Sequence, residues 1–571
     1  MLIFRSIVCF AMAWLLLQPL HAQNLDQIGK KGAIKLSGGV SANQVFYYSD
    51  GITARRDPYN YFLSGNMTLS LYGLSLPFTF NFSNQKLNYG QPFNIMGLSP
   101  KYKWITAHLG WRSMTFSPYT LNGHSFFGAG VEVEPIKGWK TSAMYGRLLR
   151  AVNYDSTSSN RPAYERFGMG LKTQYAWADG AAGISVFTAK DNANSTNVPL
   201  DKAGITPQQN VVIGINLMKK VKNLTFTFEG ARSALTVDTR SEKDSKGAQG
   251  VDAVYLLQRK TSTTYYNAFK GNATYQFSRF GLGIGYERID PNYRTLGAYY
   301  FNNDLENITA NFNTSLFKNK VSFSTNLGTQ HDNLDKNKVS TMRRWVGSFN
   351  LGFVPSQKWN FSIGYSNFQS YANIQPQVRN LTRLTPYDNL DTLNFVQISQ
   401  STQVSAMHVL KATKEVSSSI SFSGSYQQST EKRGDNTPTS GPAFYNANVN
   451  YGLSLLQLKL SGSLGANTNI SGPSDNRTIF IGPVASISKS FYESKLRCGL
   501  NVSWNKVLLN GASNSSIINI GQTNSLTLAK KHRVNLSTNY VHMGQPTLGQ
   551  VSSYASALNE VTVTLGYGYS F

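Results

Sequence analysis

Val561-Thr-Val-Thr-Leu-Gly-Tyr-Gly-Tyr-Ser-Phe571 closes the chain. Val561, Val563, Leu565, Tyr567, Tyr569 and Phe571 are apolar or aromatic, while Thr562, Thr564, Gly566, Gly568 and Ser570 are small or polar. A period of two is the signature of a β-strand with two unlike faces. Alternation alone fits a soluble sandwich as well as a membrane barrel, so the rest of the chain must decide between them.

The same pattern recurs throughout. Ala447, Val449, Tyr451, Leu453 and Leu455 alternate with Asn446, Asn448, Asn450, Gly452 and Ser454. Leu496, Cys498, Leu500, Val502 and Trp504 alternate with Arg497, Gly499, Asn501 and Ser503. The polar faces are Asn, Ser, Thr and Gly with an occasional Arg, and they lack the Lys/Glu pairs of a wet soluble face. Tryptophans 104, 111, 139, 177, 345, 359 and 504 fall near strand ends, as an interfacial girdle requires. Short connectors such as Ala178-Asp-Gly180, Lys222-Asn223 and Ser356-Gln-Lys358 alternate with long polar ones such as 192–209, 240–261 and 372–393. Tight turns at one end and long loops at the other are the habit of transmembrane barrels.

Composition agrees. Charged residues are 15% and aromatics 12% of the 571 residues, against about a quarter charged in a typical soluble chain. No apolar run after the first twenty residues is long enough for a membrane helix. Closure is the one way for strands to satisfy every backbone group in lipid. The expected fold is therefore all-β: a large single-chain transmembrane antiparallel β-barrel of 24–26 strands. Residues 1–22 read as a signal peptide, with Arg5, an apolar run over 7–17 and Ala22 at the cut. Residues 23–32 are expected to be a short periplasmic segment and 33–571 the barrel. The mature chain would keep one cysteine, Cys498, so no internal disulfide is expected.

The up-down rhythm fails between Lys86 and Asn122, where Pro92, Pro100 and Pro118 lie among glycines and aromatics. Proline is confined to edges and bulges in sheets. Part of 86–122 is expected either to fold into the lumen as a constriction or to form an ordinary outer loop.

The last eight residues resemble the C-terminal assembly signal of bacterial outer-membrane β-barrel proteins: polar, any, Gly, any, any, aromatic, any, aromatic. Thr564, Gly566, Tyr569 and Phe571 fill its defined places. The resemblance implies recognition of the last strand by the barrel-assembly machinery, an outer-membrane location and contact with outer-membrane lipid. The Asn/Tyr/Phe-rich texture, with "RRDPYNYFLSG" and "LTPYDNLDTLNF", is similar to large Bacteroidota-type barrels of Gram-negative bacteria without a plug domain. It departs from TonB-dependent receptors in offering no segment for a plug ahead of the first strand.

The net charge is +25. The basic residues are dispersed rather than clustered, which argues against nucleic acid and for an anion-attracting lumen. Alternation turns Arg112, Arg166, Lys172, Arg344, Arg497 and Arg533 inward, against Glu229 and Glu287. The bland alternative is that each arginine sits at a rim and pairs with a loop carboxylate. The seven histidines show no metal-ligand spacing, and no nucleotide motif occurs, so no cofactor or metal is expected. His108 and Ser125 are the pair that a barrel lipase would need, but polar lumen lining is the simpler reading, so no enzyme is expected. The expected function is an outer-membrane channel for small polar or anionic solutes, passive or loop-gated. The second reading is a structural or export component whose lumen is plugged by an outer-membrane or periplasmic partner protein.

Overall fold

The computed structural model describes residues 34–571 apart from 53, 55, 85–93, 157–161, 245–256, 300–301, 338–342, 369, 374–394, 432–438, 473–476 and 546–556. The expected signal peptide and Pro92 lie outside the described residues.

The chain is a closed antiparallel barrel of 26 strands, within the expected range. Two wall positions are each filled by a broken strand. Ile95–Leu98 and Lys101–Tyr102 together bridge Leu74–Ser83 and Ile105–Thr115. Trp359–Ser366 and Ser370–Asn373 both pair with Phe395–Ala412. The first break sits at Ser99-Pro100, where the missing N–H of proline interrupts the ladder.

The wall closes where Ile34–Asp50 pairs with Leu558–Ser570, in register from Gly39 opposite Ser570 to Asp50 opposite Asn559. Ile34–Asp50 is paired on its other side with Tyr59–Leu71. Neither terminal strand is left as an edge, which removes the unpaired backbone groups that an open sheet exposes. The last backbone N–H, of Phe571, donates to Gly38 O at 3.0 Å.

Short connectors gather at one end of the barrel and long ones at the other. Tyr72 and Gly73 join their strands in two residues, with φ of 47° and 89°. Positive φ at both central residues is the hairpin geometry that matches strand twist. At the long-loop end, Asn510 and Gly511 make the same kind of turn, with φ of 53° and 85°. Ile34, the first described residue, and Phe571 both lie at the tight-turn end.

The face pattern of the final strand follows its sequence. Leu565 and Tyr567 are 41% and 43% exposed, whereas Thr562 and Thr564 are 8% and 7%. Ile184, Ile215, Leu217, Ile284, Ile308 and Leu464 extend this exposed apolar face around the wall. Aromatic neighbours such as Trp139–Tyr175, Tyr175–Trp177 and Phe277–Phe280 collect on it at the tight-turn end. Trp111 differs from a girdle residue: it is nearly buried, beside Phe127.

Candidate functional site

The polar faces point into the lumen, and one short segment proves the direction. Tyr119, just beyond the strand Ile105–Thr115, donates its hydroxyl to Glu287 Oε1 at 3.0 Å. Seven wall strands separate the two around the barrel. Eight spacings of about 4.8 Å make roughly 38 Å of wall, and a six-residue connector reaches about 20 Å at most. The contact is a chord through the interior.

Of the stretch 86–122, the described residues from Ile95 to Thr115 mostly stand in the wall as strands. Among the described residues of that stretch, 116–121 turns inward. Pro118 lies at its exposed tip, while Phe116, Tyr119, Thr120 and Leu121 are buried. A second segment, 291–297, folds in from the same long-loop end and meets it. Tyr293 Oη donates to Tyr119 O at 2.7 Å, Thr295 Oγ1 to Thr120 O at 2.7 Å, and Asn122 N to Gly297 O at 2.9 Å. The wall fastens both. Lys172 Nζ donates to Phe116 O, Ser233 Oγ to Arg294 O at 2.8 Å, and Leu296 N to Asn210 Oδ1 at 3.2 Å.

Apolar packing completes the docking. Phe116, Leu121 and Leu296 form a cluster with Met114, Phe126, Met144, Leu148, Phe187 and Ala189, inward residues of the wall and of the two in-folded segments. Tyr119 and Tyr293 form another with Ala268, Ile289 and Leu305. Luminal glycines make the room. A Cβ at Gly170 would lie 2.6 Å from Phe116 Cε2, and one at Gly214 would lie 2.8 Å from Thr120 Cγ2. One at Gly297 would lie 2.8 Å from Thr120 O. Burial, with Glu287 beside it, pushes the Tyr119 phenol above the usual range, so it remains a donor.

Beside this docked pair runs a polar ladder one residue per strand wide. Glu229, Lys270, Glu287, Asn307, Gln330 and Arg344 are consecutive cross-strand partners. Lys270 Nζ stands 3.9 Å from Glu287 Oε2. Asn307 Nδ2 donates to Glu287 Oε2 at 3.1 Å, Gln330 Nε2 to Asn307 Oδ1 at 2.8 Å, and Arg344 Nε to Gln330 Oε1 at 2.7 Å. Tyr119 is bonded to this ladder, so the in-folded segment and the ladder form one network. Alternation foresaw Glu229, Glu287 and Arg344 inside but not the neutral Asn307 and Gln330 that link them. Their signal was an amide at an inward position near each strand's outer end.

The other basic residues expected inside also face the lumen. Arg112 Nη1 donates to Thr79 Oγ1 at 2.7 Å, and Arg497 Nη2 to Ser488 Oγ at 3.4 Å. Arg533 stands opposite Thr527 and Gly568. Among the described residues, Arg166 is the one of the six in ion-pair contact with a carboxylate, Asp191 of the adjoining strand, through Nε at 2.6 Å and Nη2 at 3.0 Å. That partner is a wall residue rather than the loop carboxylate of the rim reading. Across the lumen, described neighbours on the inward face are Ser and Asn: Ser421 pairs with Asn450, Ser423 with Asn448, and Ser463 Oγ lies 2.7 Å from Ser486 Oγ.

His108 and Ser125 do not come together. His108 Nδ1 lies 3.0 Å from Ser99 Oγ, and the Ser125 N–H donates to Tyr299 Oη. The register places His108 on the luminal face with Arg112 and Ser125 on the outer face with Phe127. Among the described residues no group of three or more His, Cys, Asp or Glu side chains could hold a metal ion.

No family model matches the chain, and no curated protein matches it. Solved structures overlap it loosely. The FrpB iron transporter of Neisseria meningitidis (F5-1 variant) aligns at 12% identity over 94% of this chain and 82% of that one, with a TM-score of 0.36. The P pilus usher (PapC) translocation pore aligns at 10% identity over 94% and 100%, with a TM-score of 0.37. OccAB2 of Acinetobacter baumannii aligns at 9% identity over 69% and 97%, with a TM-score of 0.26. Overlaps this loose transfer neither a solute nor a partner to this chain.

Proposed function

We propose that this chain spans the outer membrane and passes small polar or anionic solutes, through a lumen narrowed by 116–121 and 291–297. The apolar exterior and the closed wall support the membrane placement, because strands can cross lipid only as a closed barrel. Twenty-six strands enclose a lumen wider than that of a 16- to 18-stranded porin. Two docked segments on one wall would narrow such a lumen.

The observation that carries the anion preference is the identity of the acceptors. Arg112, Lys172, Arg344 and Arg497 donate to a hydroxyl, a backbone carbonyl, an amide and a hydroxyl. A cation bonded to a neutral acceptor keeps its charge for a passing ion, whereas Arg166 is neutralised by Asp191. Basic linings of this kind favour anions. The proposal assigns no catalytic role to the lumen.

Reversal potentials in planar bilayers under a salt gradient test the reading. Chloride should permeate better than potassium, and Arg344→Gln together with Arg497→Gln should reduce the preference. Cation selectivity, or a membrane-inserted barrel that conducts nothing, would overturn it. The inward Ser/Asn pairs Ser421–Asn450, Ser423–Asn448 and Ser463–Ser486 suit the second reading, a lumen filled by a partner protein. Stable co-purification from native membranes would favour that reading.

A further inference from the structure

The closing seam carries a feature that the constriction does not use. At the tight-turn end a recess of about 540 Å³ opens between Ile34–Asp50, Tyr59–Leu71, His532–Met543 and Leu558–Ser570. Among the described residues its lining includes Lys530, Lys531 and Arg533 and no Asp or Glu. Ser41 and Ser64 supply hydroxyls 2.8 Å apart, and Asn66 an amide.

The floor is open because glycine sits there. Gly568 stands between Ser41 on one neighbouring strand and Arg533 on the other. With no side chain at that position, a Cβ there would meet only the backbone oxygens of Arg533 and Val40, each at 3.9 Å, and Ser41, Ser64 and Arg533 all line the same recess. A Cβ at Gly39 would lie 2.8 Å from Tyr569 O, so the neighbouring floor position excludes larger residues.

Electrostatics fits an anion. Phe571 is held on this rim by its N–H bond to Gly38 O. Three cations with hydroxyl and amide donors around an open floor match a multiply charged oxyanion better than a halide, because such an ion accepts several directed bonds at once.

We infer that this recess binds a phosphate-type oxyanion at the tight-turn mouth of the barrel. The site deepens the channel reading by naming an ion class that it would collect at one mouth, and its location in the path rests on that reading. The binding itself rests only on the recess.

Isothermal titration of inorganic phosphate into the detergent-purified full chain, at constant ionic strength set by sodium chloride, tests it. Saturable binding is expected, weakened about tenfold or more by Lys531→Gln with Arg533→Gln. Ser41→Val, which leaves every charge in place, should weaken binding by a smaller factor. Heat-modifiable gel migration verifies that each variant is a folded barrel. No saturable binding by the native chain, or equal binding by native and double-substituted chains, would overturn the inference. Phosphate binding without conductance would sink the channel reading and leave the site standing; conductance without binding would do the reverse.

Discussion

Replacing Phe116 by Ala asks whether docking of the in-folded segment governs the pore. Phe116 is 3% exposed, and its ring lies over Gly170, where even a methyl group would collide. Removing a buried phenyl ring costs about 3–5 kcal/mol. The wall's ladder hydrogen bonds do not involve this ring, so the cost falls on docking rather than on the barrel. At 1.36 kcal/mol per decade, 3 kcal/mol shifts the docked-to-undocked ratio by roughly two orders of magnitude. Single-channel recording is the assay. The expected result is a larger mean conductance, or flicker between two levels where the native chain holds one. Gly170→Leu, which expels the ring from the wall side, should reproduce it. If both variants insert normally and leave conductance and noise unchanged, the claim that 116–121 constricts the pore is refuted.

Further outcomes follow from other contacts. Glu287→Gln should loosen the same segment less than Phe116→Ala, because a hydrogen bond to a charged acceptor contributes about 1.5–3 kcal/mol against about 1 for a neutral one; channel flicker is again the readout. In the outer loops, Arg240 donates to Asp201 and Asp238 and holds both carboxyls below the usual carboxylate range. A depressed carboxyl contributes its stability above the ordinary range and loses it as pH falls through the lowered value. Protease sensitivity of 199–206 and 238–244 should therefore rise only under strongly acidic conditions, and Arg240→Gln should move that rise to a higher pH. Deleting Phe571, which caps the seam through Gly38 O, should impair membrane insertion while leaving export intact, as read by fractionation.

The period-two pattern was enough to read the barrel class and the strand range. The reason is local: successive side chains on a strand must face opposite ways, and only one face of a closed wall can meet lipid. The count faltered at 86–122 because Ser99-Pro100 breaks one wall strand, which made a wall segment look like a loop. Of the prolines that carried the signal, Pro100 marks the interruption of the ladder and Pro118 the tip of the inward turn, while Pro92 lies outside the described residues.

Which residues meet across the lumen was beyond the sequence. Tyr119 and Glu287 are 168 positions apart, and nothing local relates them. Their contact depends on how many strands stand between them and on the closure that makes a chord possible. The same holds for Gly170 and Gly214, which alternation reads as ordinary small inward residues, and for Gly568 opposite Arg533. Their function as space appears only when another segment, or a neighbouring side chain, is brought over them. The sequence by itself determined which way each side chain faces. The tertiary structure decided what each one faces, because register and closure are set by pairing between distant strands.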